Sequence, residues 1–215
     1  MISVLLVDEH ILERSSLRRL LEDGHGILVL NEADDSEQAV QRAHDSRRPD
    51  VALISINAPS ISVLNGTRRF MRLFPDVKVI LITTDFATYL PVRLLQSGAQ
   101  GLLTKHCTAE ELIAAVKSVS AGRPYISKRI ANQVALDHAS GDPASPFEEL
   151  SQRELQVLLL LSQGENTGEI SHELCISPKT VNTYRHRLMG KFGVHTEVEL
   201  MHIALRHGII RVSNF

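Results

Sequence analysis

The stretch from Leu150 to Val194 constrains this chain more than any other. Leu150-Ser151-Gln152-Arg153-Glu154 opens it, Gly164 interrupts it, and Ile170 and Leu174 lead into Ile176-Ser177-Pro178-Lys179-Thr180-Val181-Asn182-Thr183-Tyr184-Arg185. Ser177 as N-cap and Pro178 at the first helical position are two independent start signals. The hydroxyl accepts from an orphan backbone N–H, and the ring pre-sets φ at a place where no donor is needed. The pattern predicts a helix-turn-helix unit. From Ile176 to Val194 the basic residues are Lys179, Arg185, Arg187 and Lys191, with no acid among them. A basic helix with an open N-terminus is the footprint expected of a segment lying in a DNA groove. The competing reading is a solvated amphipathic helix with a chance basic face; caps, turn and charge agree on the first.

The chain as a whole does not share that bias. Its 215 residues suffice for two modest domains, each with its own core, and the net charge is only −2. Aromatic residues are 4% of the chain and Trp is absent, which disfavours a base-stacking binder of RNA or single strands. Cys107 and Cys175 lie far apart in no CxxC pattern, so a reduced cytoplasmic compartment is expected. Met1 runs straight into an apolar segment without a basic leader, and no apolar run approaches the ~18 residues of a membrane span. Neither a signal peptide nor a membrane partner is expected. The 10 histidines show no HExxH spacing, so no metal site and no cofactor are expected. No glycine-rich phosphate loop, catalytic triad or nucleophile elbow occurs, and the expectation is a non-enzyme.

The first part of the chain alternates short apolar runs with amphipathic helical patterns, which predicts a flavodoxin-like, doubly wound α/β fold with a five-stranded parallel sheet. The runs are 2–7, 27–30, 51–54, 77–82 and 101–104. Their carboxyl ends, where such folds collect chemistry, carry Asp8-Glu9, Ser55, Thr83-Thr84 and Lys105. A helix near 109–121 is followed by Gly122-Arg123-Pro124, a short helix near 128–136, and a flexible linker by composition over 138–146. Four helices then follow, over 152–162, 167–174, 178–192 and 197–206. The expected division is 1–121 for the first domain, 122–147 for a linker with its short helix, and 148–215 for an all-α helix-turn-helix domain.

Ser151, Arg153, Glu154, Gly164, Ile170, Thr180, Val181 and Lys191 make the last part of the chain resemble the LuxR-type DNA-binding domain of the NarL/FixJ response regulators. The run Leu174 to Arg185, Val198-Glu199-Leu200 and Arg206-His207-Gly208 are similar to the GacA/UvrY type. The resemblance implies a recognition helix whose amino-terminal half enters the major groove of double-stranded DNA. It assigns Asn182, Thr183 and His186 to base edges, and Lys179, Thr180, Arg185 and Lys191 to phosphates. It also implies a homodimer formed through the last helix, and so an inverted-repeat promoter site. Four phosphate-bound cations per subunit would give a salt slope near ~−7. Structural alternatives stand beside these roles. Asn182 could cap locally, Tyr184 could pack, Arg153 and Glu154 could pair to brace the first helix, and the stripe Val198, Met201, His202, Leu205 could be core or interface.

The strand-end residues resemble a receiver domain, in which paired acids hold Mg²⁺, a carboxylate after the third strand takes a phosphoryl group, and Thr and Lys contact its oxygens. Asp8, Glu9, Thr83 and Lys105 match those positions, but Ser55 stands where the family has its acceptor aspartate. A neutral hydroxyl brings no charge to a metal and needs a base before it attacks phosphorus. Ala58 stands where the family has Met, 60–65 lack the usual glycines, and Leu102 replaces the switch aromatic. Asp50 lies at the wrong end of its strand to substitute. The reading is a pseudo-receiver in which Asp8, Glu9 and Lys105 survive as an ion-pair cluster, joined to a DNA-binding transcription regulator independent of aspartyl phosphorylation. Two alternatives remain: an interaction protein that heterodimerises with a phosphorylatable related response regulator through a face at 90–115, and a pseudo-receiver that senses a small ligand.

Overall fold

The computed structural model describes residues 1–23, 26–45, 47–56, 61–84, 95, 98–139, 147 and 149–206. They form two compact units, divided between residues 136 and 137. Of the linker expected over 138–146, residues 138 and 139 are helical instead, and 140–146 lie outside the described residues, as do Ala58, Pro59 and Ser60, most of 85–97, and His207-Gly208.

In the first unit, strands β1 (Ile2–Val7), β2 (Ile27–Ala33), β3 (Val51–Ile56), β4 (Lys78–Thr83) and β5 (Gly101–Thr104) alternate with helices α1 (Ile11–Asp23), α2 (Ser36–Asp45), α3 (Ile61–Leu73) and α4 (Ala109–Ser120). The sheet is parallel throughout, in the order β2-β1-β3-β4-β5, with a sixth strand, β6 (Tyr125–Ile126), on the free side of β5. The sixth strand corrects the five-strand expectation. Tyr125–Ile126, in the segment read as linker, forms β6 against β5, with Gly101 opposite Tyr125 and Leu102 opposite Ile126. Two residues next to a Gly-Arg-Pro break are too short a run for apolar periodicity to register. Helix α5 (Lys128–Ala139) follows, with Ile130 buried.

The near-continuous apolar character of β1, β3 and β4 has its cause in burial on both faces, the usual state of a parallel sheet covered by crossover helices. Val4, Leu6, Leu53, Ile80, Ile82 and Leu103 turn one face toward Leu112, Val116 and Val119 of α4 and Leu21 of α1. The amino-terminal edge is pinned by Asp50, whose carboxylate accepts from the backbone N–H and the hydroxyl of Ser3, both at 2.7 Å. The Ser3 backbone donor, more than the hydroxyl, holds the Asp50 carboxyl below the usual carboxylate range. Asp50 is thereby committed to the edge opposite Ser55, as its position before β3 implies.

The second unit contains α6 (Gln152–Ser162), α7 (Thr167–Glu173), α8 (Pro178–Phe192) and α9 (Glu197–Arg206). Ser151 with Glu154, and Asn166 with Glu169, form reciprocal capping boxes that satisfy orphan donors at both helix starts. Gly164, at φ +86°, ends the turn after α6, and Gly193, at φ +63°, caps α8 in the left-handed region where a side chain is strained. Val157, Leu158, Ile170, Val181, Leu188, Leu200 and Ala204 are buried, so each helix contributes to one small core.

Candidate functional site

Helix α8 starts as its residues predict. The Ser177 hydroxyl accepts from the Thr180 backbone N–H at 3.1 Å, with Pro178 in the first turn. Burial of Val181 and Leu188 fixes the rotation of the helix. Lys179, Asn182, Thr183, His186 and Arg187 therefore fall on the outer face, all exposed. The three base-edge candidates share that face with Lys179, while Thr180 is half-buried and its hydroxyl lies 2.8 Å from that of Ser177.

The other two phosphate candidates are engaged inside the unit. Lys191 donates to the Glu154 carboxylate at 2.9 Å and to the Glu149 carbonyl at 3.0 Å, tying α8 to the start of α6. Arg185 donates to Thr167 Oγ1 at 2.6 Å and pairs with Glu197, linking α7, α8 and α9. Glu154 was expected to pair with Arg153; instead it takes Lys191 and the Ser151 cap, and Arg153 donates to Gln156 at 3.1 Å. Adjacent residues on a helix point about 100° apart, so a charge pair at i, i+1 does not meet. Burial pushes the Glu154 carboxyl up, but the Lys191 ammonium and the Ser151 donors outweigh it and hold the group below the usual range. Asn182 Oδ1 accepts from the Arg185 guanidinium at 3.5 Å, a long hydrogen bond, and the residue is exposed. Tyr184 is half-buried, with the Arg187 guanidinium 6.0 Å from its ring centre. Arg187 carries no site role in the sequence reading; its exposure beside Tyr184 is the tertiary signal that singles it out.

The core of α9 is Leu200 and Ala204. Val198 is 65% exposed and His202 exposed, with Met201 and Leu205 partly so. The stripe that could have been core is thus turned outward.

In the first unit, register brings the strand-end residues into one layer. Val7 lies opposite Ile54, Ser55 opposite Ile82, and Thr83 opposite Thr104, so Asp8, Ser55, Thr83 and Lys105 line the carboxyl edge of the sheet. Asp8 and Thr83 are buried and Glu9 is exposed. Leu102 is fully buried in β5. The Ser55 hydroxyl is shut off from solvent and forms no hydrogen bond with the described residues. Lys105 Nζ is 3.6 Å from Asp8 Oδ2 and also pairs with Glu13, in the first turn of α1. Asp8, Lys105 and Glu13 thus form an ion-pair cluster; Glu13, a helix residue six positions after the end of β1, carries no sequence signal for that role. Asp8, His10 and Glu13 each offer a ligand atom, all within 4.8 Å of one another, with the Lys105 ammonium serving as the cation at two of them.

An α/β unit with a layer of polar residues at its strand ends, joined to a helix-turn-helix unit with an exposed polar helix face, has the build of a two-domain regulator. Residues 4–117 match the response regulator receiver domain, and residues 148–204 match the bacterial regulatory proteins of the luxR family. Response regulator UvrY of Escherichia coli (strain K12) is 43% identical over 210 residues, spanning 97% of this chain and 96% of UvrY. Response regulator GacA of Pseudomonas aeruginosa is 41% identical over 215 residues, spanning 100% of both. RcsB from Salmonella enterica serovar Typhimurium, bound to promoter rprA in the presence of phosphomimetic BeF3−, superposes with a TM-score of 0.72 at 20% identity, covering 94% of this chain and 98% of RcsB; that likeness is one of fold. The chain belongs to the luxR-type response regulators, close to UvrY and GacA. No helix of the described residues is long and apolar enough to cross a membrane.

Proposed function

We propose that this response regulator binds double-stranded DNA and controls transcription without aspartyl phosphorylation. The observation that carries the second half is Ser55. Its hydroxyl is buried in the layer of Asp8 and Thr83 and forms no hydrogen bond with the described residues. The donor set does not fit the Mg²⁺ and acyl phosphate of a receiver. One of the three carboxylates is a hydroxyl, and an ammonium ion occupies the neighbourhood of another. The outward face of α8 supports the first half. Asn182, Thr183 and His186 read base edges, Asn182 being suited to adenine and the Thr183 methyl to thymine, while Lys179 and Arg187 hold phosphates. Arg185 and Lys191 act within the domain by keeping α8 at its angle to α6 and α7. The exposed stripe on α9 supports a homodimer and an inverted-repeat target.

Selection of bound fragments from a genomic DNA pool by the untreated full-length protein tests the reading. Selective binding that acetyl phosphate leaves unchanged is expected, with no phosphoryl mass added to the protein. Binding only after a phosphodonor overturns independence from phosphorylation. No selective binding in either state transfers the assignment to a heterodimerising partner of a related response regulator.

A further inference from the structure

Between α1 and α4, beside the carboxyl ends of β4 and β5, the first unit holds a cavity of about 460 Å³. Leu12, Leu17, Leu20, Ile82 and Leu112 are the bulky apolar residues of its wall; Lys105 and Glu13 are its charged groups. Neither Ser55 nor Thr83 lines it, so it is a separate hollow that shares Lys105 with the strand-end layer. Leu12 is 80% exposed at its rim and Leu20 39%. A mostly apolar hollow of this size with one charged end has the build of a small-molecule site.

The charges indicate the class of ligand. Lys105 is only 13% exposed and needs carboxylates around it. Its partners Asp8 and Glu13 differ. The Asp8 side chain is 1% exposed and fixed by the strand end, whereas the Glu13 side chain is 45% exposed and can turn to water. An exposed partner of this kind contributes little to stability, so exchanging it for another carboxylate costs little. The charge count at the ammonium is then unchanged, and the apolar wall gains an occupant. We propose that this cavity binds a monocarboxylic acid with an apolar tail, its carboxylate displacing Glu13 from Lys105 and its tail lying against Leu17, Leu20 and Leu112. Glu13 is the built-in occupant of the acid position when no ligand is present. The site stands whether or not DNA binding needs phosphorylation, because its occupancy is read on the first unit.

Calorimetry of the full-length protein with octanoate, butyrate, acetate and octanol tests this. One octanoate per chain is expected, each methylene between butyrate and octanoate tightening binding about fourfold. Acetate, with the head alone, and octanol, with the tail alone, should each bind at least about tenfold more weakly. Glu13→Gln should tighten octanoate binding by removing its competitor, and Lys105→Met should weaken it at least about tenfold. Leu17→Phe, which fills the hollow without touching the ion pair, should also abolish binding and covers the case in which the lysine variant does not fold. Cys107 lines the same cavity and is half-buried, its thiol pushed up by burial and then by Glu111. Octanoate should protect it from an apolar maleimide while the exposed Cys175 still labels. Equal affinity for octanol and octanoate, an unchanged Leu17→Phe variant, or no heat with any acid overturns the proposal.

Discussion

At the scale of single residues, the outer face of α8 separates contacts that carry sequence information from those that carry affinity. Asn182→Ala should cost ~1–3 kcal/mol at the cognate site and leave non-specific binding unchanged, as a fluorescence-anisotropy titration against specific and random duplexes would show. Arg187→Ala should weaken both alike; loss confined to the cognate site would remove it from the phosphate set. Cys175 is the only described non-glycine residue with positive φ, at +52° in the turn between α7 and α8. That conformation strains a side chain, so Cys175→Gly should raise the stability of the second unit by about 0.5–1 kcal/mol, read from its denaturation midpoint. Asn182, Thr183 and His186 were legible as candidates only through the resemblance to the LuxR-type domain, the Ser177-Pro178 start fixing no more than the helix that carries them. Arg187 was not, because exposure on a helix depends on which other face the core takes.

At the scale of elements, the α6–α8 clamp through Glu154 and Lys191 carries the placement of the recognition helix. Glu154 is buried, so Glu154→Gln should destabilise the second unit by about 1.5–3 kcal/mol, the range for a hydrogen bond to a charged group. The pH dependence follows from the direction of its shift. A carboxyl held lower in the folded than in the unfolded state contributes fully above its unfolded value of roughly 4.3, and the contribution is lost as pH falls through the folded value. Urea denaturation from pH ~6 to ~3 should show the variant losing less stability toward acid than the wild type. Helix α9 turns Val198 outward, and a dimer through it should be sensitive to charge. Val198→Asp should shift sedimentation toward the monomer and abolish the preference for an inverted repeat over a single half-site, with the unit still folded.

At the scale of the whole molecule, a net charge of −2 means that DNA affinity rests on a few local cations. With Arg185 and Lys191 committed within the second unit, Lys179 and Arg187 remain on the outer face of α8. A dimer should then show a slope of log affinity against log salt near ~−4, not the ~−7 implied by four cations per subunit. A slope near ~−7 would mean that Arg185 and Lys191 leave their carboxylates on binding.

The sequence by itself determined the elements and the order of the domains. The Ser177-Pro178 start, the apolar β runs and the turn glycines are local signals, each acting through its own backbone, and the four carboxyl-terminal helices fall where those signals place them. It also determined that Asp8, Ser55, Thr83 and Lys105 each stand at the carboxyl end of a strand, since strand ends follow from the apolar runs. Only the tertiary structure decided which charges are spent on the fold. Lys191 meets Glu154 across 37 residues and Lys105 meets Glu13 across 92, and no local pattern encodes partners so distant. The sixth strand belongs to the same category: two residues become a strand because β5 offers them an edge to pair with.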